Sequence, residues 1–278
     1  MAIDSVLVNR AQQVASARAR ASGVQVRELR TEEAPEACEL LAQIWAPGAG
    51  RVPLEASLLI ALVHSENYVA GAFQDGTLVG VCVGFFAAPT ESGLHSHIAG
   101  VRGARTGRGI GAALKLHQRA WALRRSVATI SWTYDPLVAR NAYFNLERLG
   151  AHAVDYIPDF YGEMSDGLND GQGSDRVVAR WDLAVWPPRR TKHPPGLPAL
   201  ELGEAREPVR IALPPSATTC RVAVPDDIVT LRVHDPELAA AWRAMTRAVF
   251  TELTHDGWSI TGFDRSGFYR LERSRACG

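Results

Sequence analysis

Three glycines fall within five residues at Gly107, Gly109 and Gly111, in the stretch RTGRGIGAALK (105–115). The apolar run GLHSHIAGV (93–101) precedes them. A run with helical spacing follows, with Ile110, Leu114, His117 and Trp121 on one face. Glycine lacks the Cβ atom that would hold a ligand away from main-chain amides. A helix N-terminus presents such amides unpaired, and its dipole favours an anion. The feature thus calls for a strand that feeds a helix through a turn, and for a turn that a phosphate group can approach closely.

Charge and cysteine usage narrow the partners. The chain has 30 basic and 30 acidic side chains, so no global field draws it to nucleic acid or to an anionic membrane, and neither partner is expected. Cys38, Cys82, Cys220 and Cys277 are too scattered for a CxxC pair. They read as reduced thiols in a cytoplasm. No apolar run approaches the length of a membrane span, and the first residues lack the apolar centre of a secretory signal. VNRAQQVASARARAS (8–22) is rich in Ala and Arg, like a transit peptide, but reads more simply as an exposed helix or a frayed extension.

Regular patterning begins at residue 24, so 1–23 is an N-terminal extension. VQVRELR (24–30) alternates as a half-buried strand does, and Thr31, Glu33 and Glu36 mark a helix start. A second helix is predicted over 54–66. Two strands follow around Gln74-Asp75-Gly76, a strong hairpin signal. After the 93–101 strand and the 111–126 helix come a β-rich run at 127–134 and a helix at 135–150. Strands at 151–158 and 175–183 flank a glycine-rich loop at 159–174. The order predicts an α/β fold of α+β layers: a mixed, mostly antiparallel sheet flanked by helices over 24–184. The proline-rich stretch 185–198 reads as a stiff linker. Residues 199–278 read as a small α+β unit with strands in VRIALP and CRVAVP, a long helix at 235–257 and a hairpin at 258–273. At about 80 residues it is near the lower limit for an independent core, so it is expected to pack on the first block or to form a homodimer.

GRGIG between strand and helix, in this element order, resembles the GNAT superfamily of acyl-CoA-dependent N-acyltransferases. The longer run HSHIAGV…GRGIGAALKLHQRAWAL…ISWTYDPLVARNAYFNLERLGA is similar to a bacterial branch of it. The resemblance covers about 160 of the 278 residues. It implies a GNAT-like fold and acetyl-CoA or another acyl-CoA as co-substrate. It further implies a diphosphate wrapped by main chain at Gly107, Arg108, Gly109, Ile110, Gly111 and Ala112, with Arg105 and Thr106 alongside. Arg102, Arg105, Arg108 and Lys115 would supply local positive charge. The pattern's Gln or Arg ahead of the glycines is replaced by Thr106 with Arg105 beside it, and a proline expected near 103 is Gly103.

Acyl transfer to an amine needs a group to take the amine proton, a donor for the developing oxyanion and an acid for the departing thiolate. In the resemblance, the strand at 94–101 splays from the one at 127–134, and main chain from Ala99 to Val101 polarises the acyl carbonyl. The usual acid is a tyrosine four residues before the helix-ending Gly150, where this chain has Leu146. Tyr143, on a neighbouring part of that face, is the candidate acid or CoA contact, and Asn141 a candidate for the pantetheine amides. For the base, His97, His95, Asp135 and a water chain all stand open. Asp135 also suits a helix cap, and either histidine also suits a purely structural role. His95 and His97 form an HxH pair without an obvious third ligand, so no metal site is expected.

Acceptor recognition is expected from 46–53 and from the 159–174 loop, where Asp159, Tyr161, Glu163, Asp166 and Arg176 supply both charges. Arg176 could hold a carboxylate through paired hydrogen bonds or close a salt bridge within the loop. The expected activity is transfer of an acetyl, succinyl or other small acyl group from CoA to a primary amine of a small molecule such as an amino acid, by direct attack in a ternary complex. The alternative is a CoA-binding regulatory or scaffold module without turnover, which the missing tyrosine favours.

Overall fold

In the computed structural model, which describes residues 3–45, 53–88, 93–103, 107–162, 173–188 and 196–273, the hairpin expected at Gln74-Asp75-Gly76 is formed. Asp75 and Gly76 both take positive φ, 49° and 78°, as a tight two-residue hairpin turn requires. It joins β2 (Tyr68–Gln74) to β3 (Thr77–Phe86). The described residues divide into two compact units. The first runs to Trp132 and includes Asp182–Ala184; the second runs from Thr133 to Trp181 and from Val185 onward.

The first unit holds α1 (Ser5–Ala21), β1 (Gln25–Glu28), a 3-10 turn at Thr31–Glu33, α2 (Ala34–Trp45), α3 (Ala56–His64), the β2–β3 hairpin, β4 (Gly93–Val101) and α4 (Ile110–Arg124). It ends within β5 (Thr129–Tyr134). The strands lie in the order β1-β2-β3-β4-β5. β1 to β4 are antiparallel neighbours, and β5 runs parallel to β4. Leu40, Leu41, Leu59, Val69, Val81, Val83 and Ile98 are buried together between α2, α3 and one sheet face. Alternate residues of β3 meet α4 on the other face. A Cβ added to Gly80 would lie 3.2 Å from Leu114, and one on Gly84 would lie 3.0 Å from the Gln118 amide and 2.8 Å from the His95 carbonyl. These two glycines let α4 sit close to the sheet.

α1 packs along α4. Its buried residues are Ala11, Ala15 and Ala19, four apart, so one small-residue stripe faces inward. The extension, read from sequence as exposed or frayed, is therefore an ordered helix with a buried face. With the sheet on one side and α1 along another, α4 is buried almost all round, Lys115, Gln118 and Arg119 included.

The second unit begins with the end of β5. The helix expected at 135–150 starts at α5 (Ala139–Tyr143) and continues as a π-helical turn, Phe144–Arg148. The start is late because the Asp135 carboxylate accepts the Leu137 amide at 2.9 Å and makes a separate turn. β6 (His152–Ile157) pairs antiparallel with β7 (Arg176–Asp182). A second mixed sheet has the order β11-β12-β10-β8-β9, from β8 (Leu197–Leu202), β9 (Pro208–Arg210), β10 (Thr219–Ala223), β11 (Trp258–Asp264) and β12 (Phe268–Arg273). α6 (Ile228–His234) precedes α7 (Pro236–His255), which Asp235 caps by accepting the Leu238 amide at 3.0 Å. Phe250, Phe263 and Tyr269 form an edge-to-face aromatic core with Tyr156 beside Phe250. β11 packs against β6 and the π-helical turn.

No helix among the described residues is long and apolar enough to cross a membrane.

Candidate functional site

The head of α4 has the backbone that its glycines suggest. Gly107 and Gly109 take φ of 85° and 86°, a left-handed conformation that other residues adopt only with strain. The Ala113 amide donates to the Gly109 carbonyl at 3.0 Å, so the amides of Ile110, Gly111 and Ala112 precede the helical ladder. A Cβ added to Gly107 or Gly111 would meet nothing within 4 Å. The turn therefore offers bare main chain and open space beside it, which suits a phosphate group. Arg108 is exposed at the same turn. Arg105 and Thr106 lie outside the described residues.

Two features of this turn escaped the sequence reading. α1 brings Arg18 and Ser22 to it: a Cβ on Gly109 would lie 2.9 Å from Ser22 Oγ and 3.7 Å from Arg18 Nη1. The alanines at 11, 15 and 19 were the available signal, because a four-residue spacing of small residues marks a packed helix face. Lys115 departs in the opposite direction. It was counted with the charges around the turn, but its ammonium is buried beneath the sheet. It donates to Ser96 Oγ at 2.9 Å and to Gln118 Oε1 at 3.1 Å, and lies 3.9 Å from the centre of the Trp132 ring. Burial lowers its pKa to about 8.

β4 and β5 form a fork. Gly93, Leu94 and His95 pair with Thr129, Ile130 and Ser131, and among the described residues the register goes no further although β4 runs on to Val101. On its other edge, β4 stays paired with β3, and there the register skips His97: Val83 faces Ile98, and Gly84 faces Ser96. This bulge turns the strand over, so Ser96 meets α4 while Ile98 enters the core under α2 and α3. Ala99 and Val101 follow the bulge, on the arm of β4 that has left β5.

His97 is exposed and His95 partly buried, and both rings lie against Phe85, at centroid distances of 5.8 and 5.1 Å. Burial lowers the pKa of both; for His95 the neighbouring His97 and Lys115 add to it. Both imidazoles are thus neutral at pH 7 and able to accept a proton. Among the described residues no group of three or more His, Cys, Asp or Glu is placed to hold a metal ion.

The remaining candidates belong to the second unit. Asp135 is buried, and its Oδ2 accepts from Arg232 Nη2 at 2.6 Å and Arg243 Nη2 at 2.7 Å. Burial pushes this carboxyl up, but Arg243 and Arg232 outweigh it and hold the group below its ordinary value. A carboxylate so held is a poor base, and its geometry is that of a turn cap and ion-pair anchor. Tyr143 is half-buried, and its hydroxyl accepts from Arg265 Nε at 2.8 Å. Asn141 is exposed in the first turn of α5, its amide donating to the Val138 carbonyl.

Tyr161 and Arg176 come together: the guanidinium lies 5.2 Å from the centre of the phenol ring, and the Tyr161 hydroxyl is 3.2 Å from Thr133 Oγ1. Arg176 is buried and donates from Nη1 to the Asp175 carbonyl at 2.8 Å. Asp159 turns away, accepting from Arg247 Nη2 at 2.7 Å. The same Arg247 pairs with Asp175, whose carboxylate also accepts the Tyr156 hydroxyl at 2.7 Å. Glu163, Asp166 and the 46–53 segment up to residue 52 lie outside the described residues.

No protein-family model matches this chain, and no curated protein matches its sequence. Solved structures are similar over part of it. The ribosomal-protein-S18-alanine N-acetyltransferase from Escherichia coli has a TM-score of 0.48 and 16% identity, covering 58% of this chain and 95% of its own. YncA, a putative acetyltransferase from Salmonella typhimurium solved with its cofactor acetyl-CoA, has a TM-score of 0.48 and 14% identity, covering 58% and 94%. A putative acetyltransferase of the GNAT family from Desulfovibrio desulfuricans has a TM-score of 0.45 and 18% identity, covering 58% and 99%.

Proposed function

We propose that this chain is a GNAT-type N-acyltransferase. It moves an acetyl, succinyl or related small acyl group from acyl-CoA to a primary amine of a small molecule such as an amino acid, by direct attack in a ternary complex. The observation that carries the proposal is the glycine turn at the head of α4, with two left-handed glycines, first-turn amides ahead of the ladder and open space where side chains would stand at Gly107 and Gly111.

When bound, acyl-CoA supplies an activated carbonyl and a thiol leaving group. Main chain from Gly107 to Ala112 holds the diphosphate, with Arg108 adding charge. The arm of β4 from Ala99 to Val101, freed from β5, offers main-chain polar groups to the acyl carbonyl, where charge develops as the amine attacks. His97, neutral and exposed, takes the amine proton, and His95 on the same strand is the second candidate. All of these groups belong to the first unit.

One observation favours the second reading, a CoA-binding module without turnover. Position 146, where the family pattern has its tyrosine, is a buried leucine. Thiol release from acetyl-CoA and succinyl-CoA, measured across a panel of amines, separates the two. Amine-dependent release supports the enzyme. Binding without release for every amine leaves the module and removes the enzyme.

A further inference from the structure

The acyl group is the part of the reaction that the glycine turn leaves open, and the closed end of the β4–β5 fork bears on it. The fork closes where His95 pairs with Ser131. Ser96 is the next residue of β4 and Trp132 the next of β5. The Lys115 ammonium touches both, through a 2.9 Å hydrogen bond and a 3.9 Å contact with the ring centre. The direction of the strands gives the order of the substrate. α4 follows the C-terminal end of β4, so a thioester with its diphosphate at Gly107–Ala112 and its carbonyl at Ala99–Val101 points its acyl tail back toward Ser96. Lys115 stands at that end.

The ammonium is 5% exposed, and its partners are neutral: a hydroxyl, an amide oxygen and an indole face. The ionisable groups facing it are the Cys82 thiol on β3, pushed up by burial, and the His95 imidazole on β4, pushed down by burial. Neither carries charge at pH 7. Among the described residues no carboxylate pairs with Lys115. Neutral dipoles restore only part of the hydration that a buried cation loses, and an anion at hydrogen-bond distance restores more.

We propose that Lys115 selects the acyl group, favouring a tail that ends in a carboxylate, such as succinyl or a related dicarboxylic acyl chain, over acetyl. The inference rests on the acyltransferase reading. The incoming carboxylate takes the place that no protein acid fills, whereas an acetyl methyl leaves the ammonium as it is.

Calorimetric titration of CoA, acetyl-CoA and succinyl-CoA into the full chain at pH 7 tests it. Succinyl-CoA is expected to bind about tenfold or more tightly than acetyl-CoA, as a charge-assisted hydrogen bond would give. The ratio should shrink toward one as pH rises past about 8, where the ammonium loses its proton, and should be near one in Lys115→Met. If that variant does not fold, the ratio and its pH dependence in the unaltered chain decide. Equal binding of the two thioesters, or a preference that survives Lys115→Met, overturns the inference while CoA binding keeps the acyltransferase reading. No binding of CoA itself overturns both.

Discussion

Gly111 and Gly109 respond differently to a methyl group, and the difference separates binding from folding. Gly111 is helical with open space around its Cβ position. Gly111→Ala is expected to raise stability by about 0.5 kcal/mol through helix propensity. In the proposed site the same methyl blocks the diphosphate, so CoA affinity should fall about tenfold or more. Gly109→Ala is expected to lower stability by about 1 kcal/mol or more, because φ is 86° and the methyl would crowd Ser22. Urea unfolding and calorimetry on both variants read the two effects. At His97 the side chain reaches solvent, but its ring lies against Phe85, and the partial loss of hydration moves the pKa below its ordinary 6.5. The acid limb of kcat/KM is therefore expected below pH 6.5, and His97→Gln should lower kcat about a hundredfold. A limb above pH 7 would count against His97. The turn at the glycines was legible from their place between a strand and a helix, whereas the left-handed backbone at Gly107 and Gly109 is added by the structure. The inward course of Lys115 was not, because a helix is expected to turn a charged residue to water, and here the side chain lies on the sheet-facing side of α4, where Ser96, Gln118 and the Trp132 ring receive it.

α1 is the element whose role the sequence understated. Its three buried alanines pack against α4, and its last turn delivers Arg18 and Ser22 to the glycine turn. Ala15→Glu is expected to lower the urea midpoint by the equivalent of about 2–4 kcal/mol, since it places an unpaired carboxylate in a face with room for a methyl. The spacing at 11, 15 and 19 carried this information, but an alanine-rich, arginine-rich stretch also fits an exposed helix, and composition cannot choose. The β2–β3 hairpin and α7 were legible from Asp75-Gly76 and from Asp235-Pro236, where local chemistry sets the backbone. The bulge at His97 was not, because it depends on how β4 meets its neighbour rather than on any residue within it. The linker read at 185–198 overlaps β8, which starts at Leu197 and pairs parallel with β10 across a long stretch of chain. Such a partner leaves no local mark.

At the scale of the whole molecule, paired carboxylates of the second unit contribute to its response to acid, as Glu33 beside Arg27 does in the first. Burial raises Asp135 and Asp175, but Arg243 and Arg232 at the first, and Arg247, the Tyr156 hydroxyl and the Asp159 amide at the second, outweigh it and hold both below the ordinary 3.8. Their stabilisation is present above that value and is lost as pH falls below it. Asp135→Asn is expected to cost about 3 kcal/mol, because two arginines then face a neutral amide in a buried place. Denaturant unfolding at pH 7 and pH 3 should show a large difference between variant and parent at pH 7 and a smaller one at pH 3. The C-terminal sheet packs on β6 within one unit, so removal of residues 185–278 should unfold that unit rather than release a smaller stable protein. Sedimentation of the full chain tests the other expectation for the C-terminal residues, a homodimer.

The claim on which the account turns is that main chain at the head of α4 holds a CoA diphosphate. Titration of CoA into the unaltered chain and into Gly111→Ala tests it most directly. The account predicts saturable binding that weakens about tenfold or more in a variant at least as stable as its parent. CoA binding that is absent, or that is equal in the two proteins, would contradict it.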